Sequence, residues 1–150
     1  MPQSLAKLHL HLVFSTKHRS PWLGDTVRED LHAYAAAVLR REGCPVVAIN
    51  SVEDHIHLLL ELSRTQAICN VVEALKIATS KWIKTRGLEY SEFARQAGYG
   101  VFAVSASHIA TVCAYIARQR EHHARHSFQD EYRGILERHR VGYDEQFVWD

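Results

Sequence analysis

The chain has almost no net charge: 18 lysines and arginines balance 17 aspartates and glutamates, giving +1 over 150 residues. A uniformly basic nucleic-acid coat is therefore excluded, and contact with a polyanion must come from a local patch. Cysteine is also scarce. Cys44, Cys69 and Cys113 are far apart, odd in number and without a Cys-x-x-Cys spacing. This reads as reduced, mostly buried thiols of an intracellular protein. No apolar run approaches membrane-spanning length, and the start, Met1-Pro2-Gln3-Ser4, lacks a basic-then-apolar signal pattern. A cytoplasmic protein with no membrane partner is expected. Repeats, low-complexity stretches and linkers are missing too, so residues 1–150 read as one domain. With 47% hydrophobic residues, it can build a real core.

Histidine, by contrast, is abundant: there are eleven. Such an excess invites metal or phosphate chemistry, although several will be ordinary surface residues. The most informative pair is His55-Ile56-His57, inside the strand-like run Asp54 to Leu62. Alternation sends Ile56, Leu58, Leu60 and Leu62 to one face and His55, His57, Leu59 and Glu61 to the other. Two imidazoles at this spacing can reach one metal ion.

The order of elements can be read along the chain. Lys7 to Lys17 alternates as a strand, with Leu8, Leu10, Leu12 and Phe14 against His9, His11 and Val13. Asp25 is a plausible N-cap for a helix that runs to Gly43. Pro45 to Val52 reads as a second strand, followed after a tight turn by the histidine strand. Gln66 to Arg86 is a helix ended by Gly87, and Gly98 to Ser105 a fourth strand. This β-α-β-β-α-β order is the ferredoxin-like, α+β arrangement, an antiparallel sheet with two helices on one face. Its first and third strands are central neighbours, so His9 and His11 should share an open face with His55 and His57. Two further helices follow, Ser107 to Arg125 and Ser127 to Arg138, the second with a capping-box-like start. An aromatic tail (Tyr143, Phe147, Trp149) should pack back on the body.

On the first of these late helices, Tyr115 and Gln119 lie one turn apart beside the apolar stripe. By pattern alone, Tyr115 reads as an amphipathic packing residue. The combination is more specific. Val13-Phe14-Ser15-Thr16-Lys17-His18-Arg19, Asp54-His55-Ile56-His57-Leu58-Leu59 and Tyr115-Ile116-Ala117-Arg118-Gln119 occur in this order. Gly98-Tyr99-Gly100-Val101-Phe102 and Ser127-Phe128-Gln129-Asp130-Glu131 complete the set, which resembles the single-tyrosine HUH transposases of bacterial insertion sequences. These include the IS200-like and REP-associated tyrosine transposases.

The resemblance implies roles at matching positions. His55, His57 and Gln119 would hold a divalent metal, Mg2+ or Mn2+, and Tyr115 would be the nucleophile. A phenol of ordinary pKa about 10 needs activation or a polarised target. Its attack would leave a 5′-phosphotyrosine and a free 3′-hydroxyl, conserving the bond energy. No ATP is then required, and the chain has no Gly-x-x-x-x-Gly-Lys loop. The implied partner is hairpin-bearing single-stranded DNA, with nucleoid association when bound. The implied assembly is a homodimer with shared active sites, exchanged at a hinge near Ser105-Ala106-Ser107.

Other readings stay open beside it. One is a domesticated relative that processes repetitive palindromes. Another is a non-catalytic ferredoxin-like nucleic-acid module, disfavoured because the outward central positions hold histidines rather than stacking aromatics. A small metal-binding regulator would leave Tyr115 and Gln119 unexplained. His9 and His11 read as polar residues lining the shared face, with His11 a candidate to touch phosphate. His122, His123 and His126 read as a solvated helix end rather than a separate zinc site, for want of a local cysteine or carboxylate. Lys76, Lys81, Lys84 and Arg86 with Trp82 suit hairpin phosphates and a stacked base, or equally a solvated helix face. Lys17 and Arg19 are a second candidate phosphate contact.

Overall fold

The computed structural model describes residues 2–150 and contains four strands, β1 (His9–Ser15), β2 (Val46–Ser51), β3 (His55–Glu61) and β4 (Gly100–Val104). They form one antiparallel sheet in the order β2-β3-β1-β4. This is the expected ferredoxin-like arrangement with β1 and β3 at its centre. The central register sets Val13 opposite His57 and Ser15 opposite His55. His11 is therefore the diagonal neighbour of His57 on one face.

Helices α1 (Asp25–Arg41) and α2 (Ile68–Lys84) supply Ala35, Leu39, Val71, Val72 and Leu75 to one face. There they meet Leu12, Phe14, Ile56, Leu58 and Leu60, the residues that alternation assigns to that side. Asp25 is the first residue of α1 rather than its cap. Gly24 is the N-cap, and the Asp25 carboxylate instead pairs with Arg28 and Arg120. Past the helix end, Gly43 takes φ 75°, which favours glycine.

The other face is not open. Helix α5 (Phe128–Arg138) lays Phe128, Tyr132, Ile135 and Leu136 against Val13 and Phe102, closing a second apolar layer. Ser127 caps it, its Oγ accepting from the Asp130 backbone N–H. Of the aromatic tail, Trp149 packs on Phe128 and Tyr132, while Phe147 is 60% exposed and Tyr143 stays near the surface. Only one cysteine, Cys44, is buried, so the expectation of mostly buried thiols fails.

The single helix expected over Ser107 to Arg125 is broken. It becomes α3 (Ile109–Ala117) and α4 (Gln119–His123), joined at Arg118 (φ −97°, ψ 18°). Asn50 of β2 explains the break. Its side-chain amide donates to the carbonyls of Ile116 and Ala117, which the next helical turn would otherwise use. Among the described residues, no helix is long and apolar enough to cross a membrane.

Candidate active site

His55 and His57 project from β3 beneath the C-terminal helices, 1% and 0% exposed. Buried imidazoles need partners at both ring nitrogens. His55 Nδ1 lies 2.6 Å from the Asp54 carboxylate, and His57 Nδ1 lies 2.8 Å from His11 Nε2. Their Nε2 atoms both face Glu131, which α5 delivers from the opposite side. His11 thus supports His57 from behind, where a phosphate would not reach it.

Glu131 is the hub. Its Oε1 lies 3.3 Å from His55 Nε2, 2.9 Å from His57 Nε2 and 3.0 Å from His123 Nε2. His123, at the end of α4, donates its Nδ1–H to the His126 carbonyl. Glu131 Oε2 accepts from the Tyr115 hydroxyl and, at 3.1 Å, from the Gln119 side-chain amide. Gln119 is fully buried, and its own oxygen lies 3.4 Å from His55 Nε2. The kink at Arg118 still leaves Tyr115 and Gln119 facing the same carboxylate. All four residues expected at the centre therefore meet at one place.

The charges are arranged around one carboxylate. Burial would raise the Glu131 pKa, but hydrogen bonds from His123, His55 and His57 hold it well below the usual range. Burial also disfavours charge on His55, yet its bonds to Asp54 and Glu131 win and raise its pKa. His57, fully enclosed, is lowered by burial. A neutral His57 that donates Nε2–H to Glu131 must accept at Nδ1, so His11 donates Nε2–H to it. Burial and the neighbouring His57 push His11 down to about 3, which suits that neutral role. The Tyr115 phenol is raised by burial and by facing Glu131.

The donor chemistry fits a divalent cation. One nitrogen from each of His55, His57 and His123 and one Glu131 oxygen lie within 4.8 Å of one another. Imidazole and carboxylate together are ordinary ligands for such ions. Tyr115 also lines a surface groove of about 990 Å3 with Arg118, His122, Arg125 and His126. The phenol therefore stands between the buried cluster and an opening that carries Arg118 and Arg125 beside Glu121.

The profile of the family described as IS200-like transposase matches residues 4–119. That span includes His55, His57, Tyr115 and Gln119 in order. The chain belongs to this transposase family. It is 32% identical over 75 residues to the ISDra2 transposase TnpA of Deinococcus radiodurans, half of this chain and 54% of that one. It thus spans about half the length of this curated relative. A crystal structure of a putative transposase from the same organism superposes with a TM-score of 0.62 at 27% identity. The superposition covers 79% of this chain and 98% of that one. A REP-associated tyrosine transposase bound to a REP hairpin gives a TM-score of 0.61 at 13% identity, covering 82% of this chain and 73% of that one. At that identity the likeness speaks for the fold.

Two site residues were missed in the sequence reading, His123 and Glu131, and both lie beyond the family match. For Glu131 there was a signal. It shares an apolar helical stripe with Phe128, Tyr132 and Ile135, where a carboxylate needs a reason. His123 gave none.

The candidate phosphate contacts divide in this member of the family. Lys76 is turned inward, its Nζ donating to the carbonyls of Gln96, Ala97 and Gly98. Burial and nearby Arg95 lower its pKa to about 8. Arg86 pairs with Asp30 and covers Trp82, which stacks on Tyr34. Lys81 and Lys84 are exposed, as is Lys17, while Arg19 lies over the Trp149 ring. Arg118 and Arg125 join the tyrosine groove, a placement the sequence reading did not assign.

Proposed function

We propose that the protein is a metal-dependent transposase that cleaves and rejoins hairpin-flanked single-stranded DNA, with Tyr115 as its nucleophile. One observation carries this reading: the Tyr115 hydroxyl sits on the carboxylate that also gathers His55 and His57, at the edge of a groove lined by Arg118, Arg125 and Glu121. Hairpin DNA as substrate is supported by the REP hairpin bound to the structural relative.

His55 and His57, with Gln119 beside them, would hold the divalent cation. Bound there, it would polarise the phosphodiester and offset the charge developing on the phosphate and phenol oxygens. The residues of the chain do the rest. Glu131 orients the phenol by accepting its hydrogen bond; three imidazole hydrogen bonds keep the carboxylate too weakly basic to take the proton, which passes to solvent in the groove. The Tyr115 oxygen bonds to phosphorus, the bond to the 3′ oxygen breaks, and that oxygen takes up a proton from solvent in the groove to leave as a hydroxyl. A 5′-phosphotyrosine remains, and attack on it by a 3′-hydroxyl reverses the sequence and rejoins a strand. Arg118 and Arg125 in the groove, together with exposed Lys17, Lys81 and Lys84, provide charge for the DNA backbone. Tyr115 and the histidines meet within one chain, which supports attack inside a single subunit. A homodimer that exchanged tyrosine helices would have to release Asn50 and Glu131 first.

Single-stranded DNA bearing a hairpin, incubated with the protein and Mn2+ or Mg2+, should give a denaturant-resistant adduct. Tyr115→Phe should give none, and His57→Ala should lose the adduct while remaining folded. An adduct formed by Tyr115→Phe sinks the nucleophile assignment.

A further inference from the structure

The three imidazoles around Glu131 share a feature that ordinary core packing does not demand. Each presents Nε2 to the same point, and each has Nδ1 occupied from behind. Asp54 holds His55, the His126 carbonyl holds His123, and His11 Nε2 would accept Nδ1–H from a metal-bound His57, the reverse of the direction when His57 donates to Glu131. Outer partners at the second ring nitrogen are the usual way of orienting metal-binding histidines. The carboxylate at their focus comes from α5, so closing that helix over the sheet assembles the set.

We propose that His123 and Glu131 are metal ligands together with His55 and His57, forming a three-imidazole, one-carboxylate centre that favours manganese or zinc over magnesium. This rests on the metal-binding reading above and extends it to two residues beyond the family match. The preference follows from the donors. Magnesium wants near-octahedral oxygen and keeps its waters, whereas imidazole suits later divalent ions. Glu131 would then serve both parts of the site. One oxygen faces the imidazole nitrogens, and the other receives Tyr115 and Gln119. The nucleophile would be positioned through a ligand of the centre it works beside. Gln119, whose amide nitrogen donates to Glu131, would in this arrangement orient that ligand instead of binding the cation itself.

The test is metal binding by the full chain without DNA. Calorimetric titration with Mn2+, Zn2+ and Mg2+ should give affinities for Mn2+ and Zn2+ at least tenfold tighter than for Mg2+. Glu131→Gln, which preserves shape, and His123→Ala should each weaken Mn2+ binding by about tenfold or more, as should His57→Ala. Pulsed EPR of Mn2+ on the unaltered protein should count three imidazole nitrogens, and two in His123→Ala. This readout decides the question even where a variant folds poorly. A count of two in the unaltered protein overturns the inference. So does Mn2+ affinity untouched by Glu131→Gln and His123→Ala, with His57→Ala still damaging. In both cases the proposed function stands. If Mn2+ fails to bind, or binds regardless of His57, both readings fall together.

Discussion

Replacing Gly100 with alanine would test how tightly the sheet and the site-bearing helix are joined. Gly100 lies in β4 opposite Val13, on the face that α5 covers. A Cβ built there would meet Tyr132 Oη at 2.5 Å, Tyr132 Cε1 at 2.7 Å and Phe102 Cε2 at 3.0 Å. These are below the separations that carbon atoms tolerate, so something must move. Tyr132 cannot easily swing away. It is 4% exposed and held between Phe128 and Trp149. The strain passes instead to α5, where Glu131 is the adjacent residue.

Overpacking of this kind costs about 1–3 kcal/mol. For a chain of this size each kcal/mol lowers Tm by about 2–4 °C, so a fall of about 2–12 °C is expected. Mn2+ affinity should drop as well, although no ligand has changed. Thermal unfolding with calorimetric metal titration measures both effects. Tyr132→Phe removes the nearest atom, so combining it with Gly100→Ala should recover at least about 0.5 kcal/mol beyond additivity. A Gly100→Ala protein that melts within a degree of the parent, with additive double-variant energetics, would show that the ring is not seated against β4 as described.

Further outcomes follow from groups outside the centre. Lys76→Met should destabilise the fold by about 1–3 kcal/mol, because a charged donor to three carbonyls is lost. Lys81→Ala with Lys84→Ala should leave stability nearly unchanged, yet weaken hairpin binding and flatten its salt dependence. Equal losses of DNA affinity from both changes would contradict the inward placement of Lys76. His32, whose Nε2 lies 2.8 Å from Ser51 Oγ, is lowered to about 4 by burial and by nearby Arg28. The folded protein therefore resists its protonation while the unfolded chain accepts it near pH 6.5. This contribution is full above pH 6.5 and is lost as pH falls towards 4. His32 is partly solvent-exposed, so screening reduces the effect to about 1 kcal/mol. Urea unfolding at pH 7 and pH 5 should show that difference shrinking in His32→Gln; an unchanged pH response would refute it.

The sheet and its order were readable because each strand carries its own instructions. Leu10, Leu12 and Phe14 against His9, His11 and Val13 state both faces of β1, and β3 repeats the pattern. Local pattern failed where a distant side chain decides local geometry. The sequence from Ile109 to His123 has no proline or glycine to break a helix. Its interruption at Arg118 comes from Asn50, 66 residues before Ile116. The supposedly open histidine face was misread for a related reason. The apolar stripe of α5 was visible, but which surface it would cover is a tertiary fact.

The site divides along the same line. His55 and His57 are placed by strand alternation, and Tyr115 and Gln119 stood out through their order and spacing in a recognisable pattern. Glu131 belongs to no such spacing. Near the start of α5 it resembles the acidic residues that commonly favour a helix N-terminus. That reading accounts for its charge but not for its place among Phe128, Tyr132 and Ile135. A carboxylate on a buried stripe must find hydrogen bonds or cations to offset its desolvation. In a chain rich in histidine, the partners able to meet that need are imidazoles. His55, His57 and His123 do so here, and the phenol of Tyr115 joins them. The physical demand of one misplaced charge therefore links the histidine excess to Tyr115. Neither residue spacing nor the family match reaches that link.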